Sequence, residues 1–219
     1  SRADEAAERF RDGDLIGSRR LYPESWRAEQ RVLAAMIDGA SPEKAMRTIT
    51  RRERALFASA FQAAVFNVCL AQRMAGDTHA EILAGDVVVN HRSEKIRRVG
   101  DPAKERAARV AFEISPTGPL IGEKMLEARG VPGEVEARVF QELGVAPDSV
   151  SGGLVRMGAR GGRRSYRARL NVLNVVEEAG DLRLQFELPP GAYATEVLRE
   201  VMKVEPPAGA RLYLSDLGG

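Results

Sequence analysis

Residues 164–191 read RSYRARLNVLNVVEEAGDLRLQFELPPG, and they give the clearest indication of secondary structure in the chain. Polar and apolar residues alternate on both sides of a turn at residues 178–181, where the chain reads Glu-Ala-Gly-Asp. A two-residue period on both sides of a glycine turn predicts an antiparallel β hairpin with one buried face. The apolar positions of its second strand are Leu182, Leu184, Phe186 and Leu188. The Pro-Pro-Gly at residues 189–191 ends the hairpin, and residues 193–202 are predicted to form a helix.

Upstream of this hairpin the chain is predicted to be rich in helix. The strongest helical pattern spans residues 52–74, and shorter helices are predicted to start at Ser41 and over residues 133–143. The predicted core face of the long helix is Phe57, Phe61, Ala64, Val65 and Val68, and a second row on the same helix is Ser59, Gln62, Phe66, Leu70 and Arg73. Short β segments are predicted at residues 87–89 and 110–114, and PTGPLIG at residues 116–122 is predicted to form a rigid turn loop. These elements together predict an α+β fold.

The composition is that of a protein that can build a hydrophobic core. Of the 219 residues, 44% are hydrophobic, and 33 lysines and arginines nearly balance 31 aspartates and glutamates, which leaves a formal charge of +2. We find no apolar run of about 18 residues, so no membrane-spanning helix is predicted. The first residues lack the apolar segment of a signal peptide, and we expect a protein of the reducing cytoplasm.

Few residues suit metal ligation or nucleophilic catalysis. Cys69 is the single cysteine, which excludes an internal disulfide, and its apolar neighbours favour a place in the core over a catalytic role. His79 and His91 are too far apart for a local metal motif, and both are predicted to lie on the surface. The GxSxG, P-loop and GxGxxG motifs are absent. The residues therefore predict no metal site.

The local distribution of charge is uneven. Residues 151–170 carry six arginines and no acid, whereas residues 171–200 carry six acids and two bases. A guanidinium group pairs with two phosphate oxygens at once and stacks on bases, which the ammonium group of lysine does not do. The arginine-rich segment is thus either a contact for a polyanion or a structural element, and the residues alone leave both interpretations open.

Three segments in a fixed order carry a family resemblance. The first is Phe66-Asn67-x-x-Leu70-x-x-Arg73 in the long helix, preceded by Phe61-Gln62, and the second is PTGPLIG at residues 116–122. The third is Gly162-Arg163-Arg164-x-x-Arg167, followed at hairpin distance by LPPGAYATEVLRE at residues 188–200. In order and spacing these segments resemble the TruD family, the tRNA pseudouridine-13 synthases.

The resemblance implies a domain organisation. TruD-like proteins insert a helix-rich α/β module, the TRUD domain, into a pseudouridine synthase catalytic domain built on a mixed sheet. Residues 1–150 are similar to the insertion module, with residues 1–25 expected to be a loosely structured lead-in. Residues 151–205 are similar to the C-terminal portion of the catalytic domain, where the hairpin and the last helix join its sheet. Residues 206–219 are expected to be a tail.

The resemblance also implies an enzymatic activity, but two sequence segments that this activity requires in the family are missing here. Members isomerise a tRNA uridine to pseudouridine without a cofactor, through an attacking aspartate that lies in a Gly-x-Lys-Asp segment. Neither that segment nor the block Asn-Tyr-Phe-Gly-x-Gln-Arg-Phe-Gly that follows it in the family occurs in these 219 residues. We therefore expect the chain to contain no catalytic residue, to bind structured RNA such as tRNA, and to need the N-terminal catalytic segment as a partner for turnover. The alternative is a non-catalytic assembly protein that uses the fold to bind a protein or ribonucleoprotein.

The candidate site residues form two groups. We expect contacts with RNA phosphates from Arg160, Arg163, Arg164 and Arg167. The resemblance implies that a cleft is lined by Phe66, Asn67, Arg73, Tyr193, Thr195 and Arg199. Simple core packing of Phe66, a helix-start role for Tyr193 and an ion pair of Arg199 with Glu196 or Glu200 remain open alternatives.

Overall fold

The computed structural model describes residues 2–189 and 191–203, so the predicted tail at residues 206–219 lies outside the described residues. The described helices are α1 (Arg2–Arg11), α2 (Leu15–Leu21), α3 (Arg27–Ile37), α4 (Pro42–Ala45), α5 (Arg51–Ala75), α6 (Pro102–Val110), α7 (Gly130–Glu142), α8 (Pro147–Arg156) and α9 (Ala194–Met202). The described strands are β1 (Val87–Asn90), β2 (Ile96–Arg98), β3 (Ile114–Leu120), β4 (Gly162–Ser165), β5 (Asn171–Glu178) and β6 (Asp181–Glu187). The mixture of helices and antiparallel strands confirms the α+β class.

Four of the strands form one antiparallel sheet in the order β2-β1-β3-β4. β3 lies inside this sheet, with Pro116 opposite Val88 of β1 and Gly118 opposite Arg164 of β4. β4 is therefore an edge strand. Among residues 2–189 and 191–203, no further strand is hydrogen-bonded to the outer side of β4.

The predicted hairpin is present as β5 and β6, with Glu178 opposite Asp181 at the turn. The prediction that one of its faces is buried is wrong for the described residues. Leu182 is 60% exposed, and Leu184 and Phe186 are only half-buried. The cause is that β5 and β6 form a two-stranded sheet of their own, and two strands cannot bury a face without a second layer.

The described chain divides into two compact units. One contains the described residues up to Phe61 together with Gly152–Ala159, and the other contains Gln62–Ser151 and the described residues from Arg160 onward. In the second unit, the sheet packs a core of Ile82, Val88, Val99 and Ile114 against Ala108. This division differs from the boundary expected near residue 150, because the continuous helix α5 supplies buried residues to both units.

The expectation of a loosely structured lead-in is wrong, because helices α1 and α2 occupy most of it. Asp14 caps α2 by accepting a hydrogen bond from the Gly17 amide at 2.8 Å. The buried Ser18 hydroxyl donates to the Ala6 carbonyl at 2.7 Å and so joins the two helices. The charged residues that suggested disorder are exposed on these helices, where Arg9 pairs with Asp14 at 3.2 Å.

Residues 116–122 are not a turn loop, because most of them belong to β3, which is buried from Ile114 to Pro119. The predicted strand at residues 110–114 is also wrong, since Val110 ends α6. Pro116 has no N–H group, but its carbonyl accepts a hydrogen bond from the Tyr166 amide at 3.0 Å. The hydroxyl of Thr117 donates to the Val87 carbonyl at 2.6 Å. Pairing on both sides thus overrides the turn propensity of the prolines.

Gly118 is required in β3 by the close approach of two aromatic rings. A Cβ atom at this position would lie 2.5 Å from Cε1 of Tyr166 and 2.7 Å from Cδ2 of Phe66. We expect Gly118→Ala to lower the free energy of unfolding by about 1–3 kcal/mol through overpacking, as measured by chemical denaturation. Gly153→Ala is the matched control, because nothing lies within 4 Å of its Cβ position, and it should stabilise helix α8 by up to about 1 kcal/mol. Equal losses in the two variants would contradict the packing argument.

Helix α5 buries residues of both predicted rows. In the first row Val65 is 1% exposed although Ala64 is exposed, and in the second row Gln62, Phe66 and Arg73 are buried. The Gln62 amide donates to the Ile121 carbonyl at 2.7 Å, so a polar side chain on this face is satisfied inside the protein. The pattern of apolar residues alone could not indicate that polar side chains face the interior.

By length and composition, α5 could cross a membrane, and it is the one helix among the described residues that meets this criterion. The sequence analysis did not expect such a segment. A core helix of a soluble protein meets the same criterion, and α5 carries the buried charge of Arg73. The criterion by itself is therefore weak support for a membrane location.

Candidate nucleic-acid interface

The arginines of the third motif lie on and just after the edge strand β4. Arg163 and Arg164 are in β4, and Arg167 and Arg169 follow it before the hairpin begins. Because successive side chains of a strand point to opposite faces, Arg163 and Arg164 have different surroundings. One of them is directed into the protein and the other to its surface.

Arg163 is buried, and the prediction that it contacts RNA phosphates is wrong for this structure. Its side chain is 1% exposed and forms two hydrogen bonds with the Glu136 carboxylate, one of them 2.9 Å long. It also donates to the hydroxyl and the carbonyl of Thr117, at 3.1 and 2.7 Å, and to the Leu126 carbonyl at 3.3 Å. All three guanidinium nitrogens are therefore used inside the protein.

Arg73 is also buried rather than lining an open cleft. Its side chain is 4% exposed and makes two hydrogen bonds of 3.1 Å with the carboxylate of Asp86. A third bond, of 2.8 Å, reaches the Glu81 carbonyl. Burial raises the pKa of Asp86, and the neighbouring guanidinium opposes that shift. Arg73 is therefore a structural partner of a buried carboxylate.

Phe66 links the core to a surface arginine. It is 5% exposed, which agrees with the alternative of core packing. Its ring stacks on Tyr166 with centroids 5.5 Å apart and an interplanar angle of 30°. Arg164 of β4 is half-buried, and its Cζ lies 5.3 Å from the centroid of the Phe66 ring. The Cζ of Arg73 lies 5.7 Å from the centroid of the Tyr166 ring. The structure thus brings Phe66, Arg73 and Arg164 together through a tyrosine that the sequence analysis did not select.

A second group of cations surrounds Phe112, at the turn between α6 and β3. Arg167 Cζ lies 4.4 Å and Arg169 Cζ 6.0 Å from the centroid of this half-buried ring. Arg167 is half-buried, and it donates to the Ser115 hydroxyl at 3.1 Å through Nε and to the Ile114 carbonyl at 3.0 Å through Nη2. Burial lowers the pKa of Arg167, and the positive charge of Arg109 lowers it further. This guanidinium is therefore held by hydrogen bonds in a partly buried place.

Three arginines of this region lack a carboxylate partner. Within residues 2–189 and 191–203, no Asp or Glu forms an ion pair with Arg164, Arg167 or Arg169. The buried Arg73 and Arg163 each have such a partner. An unpaired guanidinium held against an aromatic ring is suited to contact a phosphate group or a base from outside.

The other predicted site residues are exposed, and no described side-chain hydrogen bond, ion pair or ring contact joins them to these clusters. Arg160 forms an ion pair with Glu123 at 3.0 Å. Asn67 is exposed on α5, and its side chain makes no hydrogen bond within the described part of the chain. On α9, Tyr193 is 70% exposed and Arg199 pairs with Glu196 at 2.7 Å, which agrees with the ion-pair alternative. Thr195 is exposed beside them, and no described hydrogen bond, ion pair or ring contact joins α9 to Phe66.

No alternative catalytic or metal centre emerges from the described residues. They contain no group of three or more His, Cys, Asp or Glu side chains that could hold a metal ion. Cys69 is fully buried, as expected for a small core residue, and burial raises its pKa to about 12. Its thiol is therefore protonated at neutral pH and is not a nucleophile.

Most of the chain matches known proteins. The family described as tRNA pseudouridine synthase D (TruD) matches residues 1–201. The chain belongs to the TruD family. This confirms the resemblance carried by the three motifs.

Individual TruD relatives cover most of the chain. The tRNA pseudouridine synthase D of Geobacter sp. (strain M21) is 38% identical over 203 residues, which cover 90% of this chain and 49% of the relative. That of Anaeromyxobacter dehalogenans (strain 2CP-C) is 40% identical over 173 residues, which cover 78% of this chain and 49% of the relative. A crystal structure described as TruD from Methanosarcina mazei superimposes with a TM-score of 0.70 at 26% identity, covering 88% of this chain and 48% of that one. The chain spans about half the length of the TruD relatives it matches.

Proposed function

We propose that this chain is the tRNA-binding C-terminal part of a TruD-type tRNA pseudouridine synthase. The observation that carries the proposal is the set of three arginines, Arg164, Arg167 and Arg169, that rest on aromatic rings and have no carboxylate partner among the described residues. Phosphate contacts supply most of the affinity of proteins for nucleic acids, and arginine supplies both the charge and the paired donors. The relatives named tRNA pseudouridine synthase D support tRNA as the polyanion.

The chemical step belongs, on this proposal, to the whole protein. The uridine is isomerised by an aspartate supplied from outside these 219 residues, and the described residues contribute binding and positioning. Residues 1–150 correspond to the TRUD insertion module, and residues 151–205 return to the catalytic domain. The exposed apolar side chains of the hairpin and of α9, such as Leu182 and Met202, support a further layer that covers them in the whole protein. A tRNA substrate also favours the cytoplasm as the place of action.

The arginine set can be tested through the salt dependence of binding. We expect the triple variant Arg164→Ala, Arg167→Ala and Arg169→Ala to bind tRNA more weakly, with the slope of log K against log salt reduced by about 2–3. The slope becomes less steep because fewer counterions are released on binding when a phosphate contact is lost. Fluorescence anisotropy of a labelled tRNA measures the affinity at each salt concentration, and a series from about 50 to about 300 mM salt gives the slope.

The control carries the same change of charge at arginines that are already paired. Arg9, Arg31 and Arg97 form ion pairs with Asp14, Glu53 and Glu105, respectively. Their triple replacement by alanine should leave most of the slope intact. An equal fall in both triple variants would mean that only net charge matters. Tight, salt-insensitive binding to a protein, without tRNA binding, would favour the alternative of a non-catalytic assembly protein.

A further inference from the structure

His91 belongs to the Phe112 cluster but to none of the three motifs. Its ring stacks on Phe112 with centroids 5.0 Å apart and planes inclined by 21°. Its Nε2 lies 2.8 Å from the Oγ of Ser115, the same hydroxyl that Arg167 contacts. Ser115 is fully buried, and His91 is exposed. The hydroxyl is therefore an internal connection between a surface imidazole and a half-buried guanidinium.

The hydrogen bonds of Ser115 determine which imidazole nitrogen carries the proton. Its Oγ accepts hydrogen bonds from both Nε and Nη2 of Arg167, at 3.1 and 3.0 Å. A hydroxyl has two acceptor lone pairs and one donor hydrogen, and Arg167 can only donate. Because both lone pairs are used, the hydrogen of Ser115 points to Nε2 of His91. The neutral imidazole must then carry its own proton on Nδ1.

Several donors of this cluster remain unused. Within the described residues, Nδ1 of His91 and Nη1 of Arg167 have no hydrogen-bond acceptor, and the exposed Arg169 has no carboxylate partner. Glu81, which attracts the charge of Arg167, is itself held by Arg109 at 2.6 Å. The cluster therefore offers N–H donors and positive charge without a matching acceptor.

The end of helix α6 sets the backbone beneath the cluster. Phe112 has a φ of 57° because it holds the left-handed position just after the helix, where its N–H donates to the Arg109 carbonyl at 3.1 Å and the Glu113 N–H donates to the Ala108 carbonyl at 2.8 Å. Here the conformation holds the ring in contact with His91 and with both arginines.

We infer that His91, Arg167 and Arg169, assembled around Phe112, form a binding site for one phosphodiester group of the RNA. Phosphate oxygens only accept hydrogen bonds, so a site needs several donors, and this cluster has them on two guanidinium groups and one imidazole. This inference rests on the proposed tRNA binding and names the residues of one contact within it.

The contribution of His91 differs in kind from that of Arg169. Partial burial lowers the pKa of His91, and the charges of Arg167 and Arg169 lower it further, so the neutral form of the imidazole is favoured. A neutral donor adds a hydrogen bond but no charge. Loss of His91 should therefore weaken binding without altering the salt slope, whereas loss of Arg169 should alter both.

Two substitutions at His91 separate the nitrogen atoms. The amide of His91→Asn places an N–H donor near the position of Nδ1, and the amide of His91→Gln reaches the position of Nε2 instead. With a labelled tRNA at pH 7.5, we expect His91→Gln to weaken binding about tenfold with an unchanged slope, since a hydrogen bond to a charged group is worth at least that much. His91→Asn should stay within about threefold of the unmodified chain, and Arg169→Ala should lower the slope by about one. Melting temperatures show that each variant is folded.

The outcomes distinguish the inference from the function on which it rests. If the unmodified chain does not bind tRNA, the proposed function itself is wrong. If the unmodified chain binds tRNA and both His91→Gln and Arg169→Ala bind it as tightly as the unmodified chain does, the proposed phosphodiester site is wrong. Equal weakening by His91→Asn and His91→Gln would overturn the assignment of the donor to Nδ1.

Discussion

Incubated alone with unmodified tRNA, the 219-residue chain is expected to form no pseudouridine at concentrations that saturate binding. The isomerisation needs a nucleophilic carboxylate that reaches an extruded nucleotide. Asp86, the most enclosed aspartate of the described chain, is 2% exposed and accepts two hydrogen bonds from Arg73. A carboxylate held in this way cannot approach RNA. Release of tritium from tRNA labelled at uridine C5 measures the reaction directly, because C5 loses its hydrogen when it bonds to the ribose.

Adding the N-terminal half of a related TruD protein, either fused or as a separate polypeptide, should restore the release of tritium. The matched control is the same half with its Gly-x-Lys-Asp aspartate changed to asparagine, which should restore nothing. Tritium release by the chain alone would show that the nucleophile lies within these residues. Asp86→Asn would then decide whether the buried aspartate is responsible.

Arg163→Ala is expected to lower the free energy of unfolding by about 3–5 kcal/mol, because it leaves the Glu136 carboxylate buried without its partner. Burial raises the pKa of Glu136, and the ion pair with Arg163 is what opposes that shift. Chemical denaturation measures the loss of stability. The fraction that remains folded should bind tRNA with the salt slope of the unmodified chain, because Arg163 has no nitrogen free to contact a phosphate.

Two variants test whether this loss comes from the buried pair. Arg160→Ala removes an exposed arginine of the same segment, whose pair with Glu123 is solvated, and should change stability by less than about 1 kcal/mol. The double variant Arg163→Met and Glu136→Leu removes both charges and should recover much of the loss. If Arg163→Ala instead flattened the salt slope at unchanged stability, the original prediction of a phosphate contact would be right.

The elements that sequence reasoning predicted well are those with local causes. The alternation around residues 178–181 predicted the hairpin β5–β6, and the long helix was predicted within one residue of Arg51–Ala75 at either end. Ser41 accepts a hydrogen bond from the Lys44 amide at 3.4 Å and caps α4, as its position before Pro42 predicted. Each of these signals lies within a few residues of the element that it predicts.

The predictions that failed depend on distant partners. Arg163 and Arg167 look alike in sequence, but Glu136, 27 positions away, pairs with Arg163, and no carboxylate of the described chain pairs with Arg167. The prolines of β3 indicated a turn, because nothing local shows that β1 and β4 pair with the strand on both sides. Phe112 and Tyr166 were missed for the same reason, although Tyr166 lies within the arginine-rich segment at residues 151–170 and is a signal that could have been weighed. The roles of Asn67, Tyr193 and Thr195 in a cleft stay predictions.

The position of β4 at the edge of its sheet has a consequence for how copies of the protein behave toward one another. An open strand edge is a template on which another chain can add a strand, and charged side chains are one of the means by which proteins prevent such aggregation. Arg164 on the strand, and Arg167 and Arg169 just beyond it, repel a second copy that presents the same edge. If the proposed RNA contact is right, a substitution that removes the three guanidinium groups would expose the edge and also weaken that contact. Solubility and tRNA binding would then both depend on the same arginine side chains, and selection for either property would retain them.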